Sequence, residues 1–176
     1  EAPNCRFDVV RGDAIPWGNL SDYQGILLSP GPGLPSEACG QMELIQAAAA
    51  THSILGVCLG HQALAEFFGG RLRRIEHPFH GHDSPIRLTE PDEPFWKGVP
   101  NDAVVGRYHS WVVEDTDLPD CLIPTAWSDD DGVLMAMRHK LLPHYGVQFH
   151  PESIISDCGE RLIRNWLDIA TQIRKT

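Results

Sequence analysis

No apolar run in these 176 residues approaches the roughly 18 that a membrane-spanning helix needs. The opening residues are polar and hold no apolar core segment of a secretory leader. Basic residues are outnumbered: 14 Lys and Arg stand against 24 Asp and Glu, a formal charge of −10. Nucleic-acid binding needs a basic face for phosphates, so that class of partner is set aside. Cys5, Cys39, Cys58, Cys121 and Cys158 are odd in number and form no C-x-x-C pair. They offer neither a disulfide framework nor a zinc knuckle, and such usage fits a reducing compartment, with the cytoplasm expected. What remains, 42% hydrophobic and 22% charged, is ordinary for a globular chain with one domain's length and core.

The most informative stretch is Ser53 to Gln62, S-I-L-G-V-C-L-G-H-Q. Ser53 to Val57 reads as a buried strand, and Leu59 to Phe68 reads as a helix that stops at Gly69-Gly70. A G-x-C-x-G turn between strand and helix is the cysteine form of a nucleophile elbow, whose small flanking residues permit a tight turn. Cys58 then lies at a helix N-terminus, where unpaired N–H groups and the macrodipole favour a thiolate.

Around it the elements alternate. Arg6 to Val10 reads as a strand and Arg11-Gly12-Asp13 as a turn. Gly25 to Ser29 is a second buried strand, ending at Pro30-Gly31-Pro32-Gly33-Leu34-Pro35, which can be neither helix nor ladder. At a strand end in an open sheet, such a loop is where ligands bind. Glu37 to Ala50 follows as a helix with Ser36 as its N-cap. Strand, loop, helix, strand, helix predicts an α/β fold, with an open, mostly parallel sheet and helices on both faces.

Residues 71 to 102 read as loops and small strands, Ile86 to Leu88 among them. His77, His80, His82 and Asp83 lie on an irregular loop with no second ligand cluster, so no metal is expected. Arg107-Tyr108-His109-Ser110-Trp111 is either a half-buried strand or a substrate-facing wall. Cys121 to Trp127 and Val133 to Arg138 read as two strands joined by Ser128 to Gly132, whose acidic run is a solvated turn. Tyr145 to Phe149 is a further strand that leads into His150-Pro151-Glu152. A base needs an orienting partner, so Cys58, His150 and Glu152 together make a candidate triad. The last helix starts near Asp157, with Glu160 completing a capping pair and Leu162, Ile163, Trp166, Leu167, Ala170 and Ile173 as its buried stripe.

Four motifs in order, S-P-G-P-G-L-P (29–35), G-V-C-L-G-H-Q (56–62), R-Y-H-S-W (107–111) and G-V-Q-F-H-P-E-S (146–153), make the chain resemble a class I glutamine amidotransferase. Among these it looks most like the glutaminase subunits of chorismate-using synthases, that of anthranilate synthase first and that of aminodeoxychorismate synthase next. The resemblance spans nearly the whole chain and implies a flavodoxin-like fold with a small antiparallel β portion. It implies that Cys58 attacks glutamine to form a thioester, with His150 as base and acid and Glu152 orienting it. Backbone N–H groups of Gly33 and Leu59 would form the oxyanion hole, and Gly31, Gln62, Ser110 and Trp111 would hold the substrate. No cofactor is implied, and a synthase subunit in trans would receive the ammonia.

In that family a strand and a helix precede the stretch matching Phe7 to Asp13, whereas here Glu1-Ala2-Pro3-Asn4-Cys5 stands first. The expectation is one amidotransferase domain over 1–176 without that first strand and helix, an N-terminal piece being expected to precede it in the gene product. His82 stands where relatives often carry lysine. The competing function classes are a free-standing γ-glutamyl hydrolase and a catalytically silent scaffold. The intact triad speaks against the scaffold.

Overall fold

The computed structural model describes residues 5–172. Seven strands form one sheet in the order β1 (Gly25–Leu28), β2 (Ser53–Val57), β9 (His144–Val147), β8 (Leu134–His139), β7 (Leu122–Ser128), β4 (His82–Leu88), β5 (Val104–Arg107). A separate antiparallel pair joins β3 (Leu72–Arg74) to β6 (Trp111–Val113). The three main helices are α1 (Gln41–Ala48), α2 (Leu59–Phe67) and α3 (Gly159–Gln172). None of the helices is long and apolar enough to cross a membrane.

The α/β class and the helices on both faces are as expected. Ile54 packs with Leu28, Ala63, Leu64 and the α1 residues Ile45 and Ala48. Its neighbour Leu55 packs on the other face with Leu162, Trp166 and Ala170 of α3. Strand alternation thus sends consecutive residues of one buried strand into two cores. Ile173 lies outside the described residues. The proportion of parallel pairing differs from the sequence reading. Only β1, β2 and β9 run parallel to one another; β8, β7, β4 and β5 continue the same sheet in antiparallel register.

Three local expectations are corrected. Arg6 to Val10 forms no strand: it is exposed, with Phe7 at 78% and Val9 at 89%, and has no ladder partner among the described residues. A short β-rich run without a neighbouring strand leaves its backbone to water. The first long helix begins at Gln41 rather than Glu37. Glu37 instead bonds back to the Leu34 N–H at 2.9 Å, closing a 3₁₀ turn over Pro35–Glu37, and Gly40 at φ +71° resets the chain before α1. Ser36 therefore lies inside that turn and caps nothing. At the last helix, Glu160 pairs with Arg164 four residues on, not with the helix start.

The α2 stop stands as read. Gly69, at φ +94°, donates to Glu66, and Gly70 donates to the Ala65 carbonyl, the pattern of a Schellman cap.

Candidate active site

Three adjacent parallel strands end on the same edge of the sheet, and each releases one motif there. Pro30–Leu34 follows β1, Cys58 follows β2, and Gln148–Glu152 follows β9. This is the carboxyl edge at which open α/β sheets bind ligands.

Cys58 has φ +50° and ψ −99°, making it the single non-glycine residue with positive φ among the described residues. A β-carbon residue in that region is strained, and it persists here because the surroundings over-determine it. The Cys58 N–H is tied to the Val147 carbonyl at 2.8 Å, and its carbonyl accepts the Gln62 N–H at 3.0 Å. A Cβ on Gly56 would meet the Gly60 carbonyl at 2.4 Å, and one on Gly60 would meet the Leu28 carbonyl at 2.4 Å. Strand and helix therefore touch backbone to backbone on either side of the thiol. Both glycines of the motif are required by contact.

The Pro-Gly loop lies against the same elbow. A Cβ on Gly31 would press on Leu59 Cδ2 at 2.8 Å, and Gly33 takes φ +79° over the Glu37 carboxylate.

His150 is anchored by its backbone, whose N–H donates to Gly106 of β5 at 3.0 Å. Its carbonyl accepts the Ser156 hydroxyl at 2.6 Å. Nδ1 faces Glu152 Oε1 at 2.7 Å, while Nε2 is buried without a hydrogen-bond partner. A carboxylate on Nδ1 places the ring proton there and leaves Nε2 as the basic nitrogen. Tyr108 packs edge-on against the ring at 4.9 Å between centroids, and its hydroxyl meets Ser153 Oγ at 3.0 Å.

The thiol's electrostatics differ from the sequence reading. Burial pushes the Cys58 thiol up to about 11; the Leu59 N–H pulls it down, the Glu152 carboxylate raises it, and the Gln148 amide lowers it. The helix start acts in the expected direction but is outweighed by lost hydration. Cys58 rests as a thiol.

The predicted substrate residues are placed unequally. Gln62 is 3% exposed, and its Nε2 donates to the Trp111 carbonyl at 2.8 Å and to Gln148 Oε1 at 3.2 Å. Ser110 lies in the bend between β5 and β6, where its carbonyl accepts the Ile75 N–H. Trp111 opens β6 opposite Arg74. Both are half-buried.

The matching of the whole chain to known proteins is decisive. The family model for class-I glutamine amidotransferases covers residues 2–170. The chain belongs to this family. It is 45% identical over 165 residues to anthranilate synthase component 2 of Pseudomonas aeruginosa, covering 90% of this chain and 81% of that one. It is 44% identical over 161 residues to aminodeoxychorismate synthase component 2 of Escherichia coli K12, covering 90% and 84%. A solved Thermoplasma acidophilum protein, described as a candidate GMP synthase chain, shares the fold at TM-score 0.82 and 27% identity. That match covers 96% of this chain and 82% of the other.

For this amidotransferase the sequence reading missed what supports the R-Y-H-S-W segment. Arg107 is fully buried and forms a fork with Asp131 at 3.1 and 2.9 Å, with Phe79 under its guanidinium at 3.6 Å. Its Nε donates to His109 Nε2 at 3.2 Å. The acidic turn is thus a latch: Asp131 holds Arg107, Asp130 holds Ser84 and Asp129 faces Arg87. A turn-type carboxylate and a strand arginine 24 residues apart carry no joint sequence signal. Gln148, the residue just past the end of β9, is a further one that the sequence motifs did not single out.

Proposed function

We propose that the protein hydrolyses L-glutamine through a Cys58 thioester, with His150 and Glu152 completing the triad, and passes the ammonia to a chorismate-using synthase in trans. The observation that carries the catalytic part is His150 itself, held at Nδ1 by Glu152 at 2.7 Å with a buried, unengaged Nε2.

In this reading Cys58 Sγ attacks the amide carbon and its proton moves to His150 Nε2. The N–H groups of Leu59 and Gly33 receive the oxyanion, a contribution worth about 10²–10³ in rate per donor. Collapse expels ammonia, which takes the proton from His150. Water, deprotonated by the same nitrogen, then attacks the thioester and frees glutamate. Gly31, Ser110 and Trp111 line the amino-acid end of the substrate, and Gln62 acts there through the Trp111 backbone. The reaction needs no cofactor. Residues 1–176 act as one amidotransferase domain, and five unpaired cysteines favour a reducing, cytoplasmic setting.

Anthranilate synthase is the first partner in this reading. Aminodeoxychorismate synthase is the second, because the relative that serves it is as similar, at 44% identity. Co-expression with each synthase partner, followed by a glutamine-dependent assay on chorismate, tests the assignment. Anthranilate formation is expected; formation of neither anthranilate nor aminodeoxychorismate overturns the partner. Cys58→Ser is expected to abolish glutamine-dependent synthesis while ammonia-dependent synthesis continues. A partner-independent turnover at full rate would instead favour a free-standing γ-glutamyl hydrolase.

A further inference from the structure

Gln148 is fully buried, and its Nε2 is 3.7 Å from the Cys58 sulfur. The orientation of its amide follows from a group that has no choice. The Trp111 carbonyl can only accept, so the end of Gln62 that meets it at 2.8 Å is the NH2. The second N–H on that nitrogen reaches Gln148 at 3.2 Å, which must therefore present its oxygen. The other end of Gln148, the NH2, is left facing sulfur. Both backbones are fixed as well: Gln148 N–H donates to Met135 and Cys58 N–H to Val147, each at 2.8 Å.

We propose that Gln148 is a positioning residue for the nucleophile: its amide, oriented by Gln62, donates an N–H to the Cys58 sulfur and favours the thiolate as it forms. The inference rests on Cys58 being the nucleophile, and it adds a donor on the sulfur that is separate from the helix N-terminus. No proton is transferred by Gln148; the hydrogen bond strengthens as charge develops on sulfur. The direction of the Gln148 effect on the thiol, downward, agrees with this geometry. In a site where burial raises the thiol, a buried donor on sulfur offsets part of the cost.

The pH dependence of Cys58 alkylation by iodoacetamide, read on the Cys58 peptide by mass spectrometry without glutamine, tests the proposal independently of turnover. The exposed Cys5 and Cys39 serve as internal controls. In Gln148→Leu the alkylation midpoint of Cys58 is expected to rise by about one pH unit, the scale of one hydrogen bond to a charged group. In Gln148→Glu it is expected to rise further, because an acceptor replaces the donor. Gln62→Leu, which frees the amide to rotate, is expected to give a smaller rise. A Cys58 midpoint unchanged in both Gln148 variants overturns the proposal. The wild-type protein supplies a measurement that needs no variant. The Gln148 side-chain amide resonance is expected to titrate with Cys58, and a resonance flat through that pH range overturns the proposal as well.

Discussion

Two cysteines in this molecule begin helices, both are buried, and burial pushes both thiols up to about 11. Cys58 precedes α2 and Cys158 precedes α3. By helix position and hydration they are alike. What separates them is backbone and company. Cys58 has φ +50° and is met by the Gln148 amide, at the strand end next to the one that carries His150. Cys158 has no positive φ, and the chain beside it packs tightly, a Cβ on Gly159 falling on the Pro151 carbonyl. A helix N-terminus alone does not make a nucleophile. In the proposed function the strained turn, one strand away from His150, is what sets Cys58 apart.

The sharpest way to break that comparison is to truncate each thiol. Cys58→Ala is expected to lower glutaminase kcat by about 10⁴–10⁶, the scale seen when a triad nucleophile is removed. Cys158→Ala is expected to keep kcat within about twofold. Steady-state kinetics of both variants decide whether burial or geometry distinguishes the two sites.

The next effect concerns the buried ion pair that supports β5, the strand to which both His150 and Asp157 are hydrogen-bonded. Asp131→Ala leaves the Arg107 guanidinium, fully buried, without its carboxylate. Asp131 is itself partly exposed, so water softens the loss, and about 3 kcal/mol of stability is expected to go, the low end for a broken buried pair. A urea titration measures it, and an unchanged midpoint would remove the latch from the account.

Acid should destabilise the fold through its buried histidines. Burial lowers His61 and His109 to about 3 and His144 to about 4. The unfolded chain therefore takes up protons below about 6.5 that the folded chain refuses, and stability is lost as pH falls from there towards 4. About 1 kcal/mol per histidine is expected to disappear between pH 6.5 and 5.5. Urea midpoints at the two pH values check it.

Alkali should treat the two cysteines alike, which sharpens the comparison from the other direction. Each thiol keeps its proton in the folded state to about 11, against an ordinary value of 9.0. Stability is lost as pH rises from about 9 through 11, by roughly 1 kcal/mol per thiol at pH 10. Cys58→Ala and Cys158→Ala should each flatten that limb equally, as seen in urea midpoints at pH 8 and 10. A smaller effect of Cys58→Ala would mean that the Gln148 and Leu59 donors offset more of the burial at Cys58 than is offset at Cys158.

Much of the site was legible in one dimension because its chemistry is local. The elbow glycines, the cysteine between them and the His150-Pro151-Glu152 run each act within a few residues, and the structure finds His150 and Glu152 in contact. The expected strand at Arg6 to Val10 and the Glu37 helix start failed for a common reason. Each depends on what a segment meets: the first meets no partner strand, and the second meets Gly40 and a carboxylate that bonds backwards.

By itself the sequence determined the α/β class and the family and singled out Cys58, His150 and Glu152 as the candidate triad, because strand-end motifs and turn glycines carry their own constraint. Only the tertiary structure decided that β1, β2 and β9 lie side by side, so that three motifs far apart in the chain share one sheet edge. It also continued the sheet through β8, β7, β4 and β5 in antiparallel register, buried Arg107 against Asp131 and aimed the Gln148 amide at the sulfur. Those arrangements are long-range pairings set by register and burial, and no local pattern of residues encodes them.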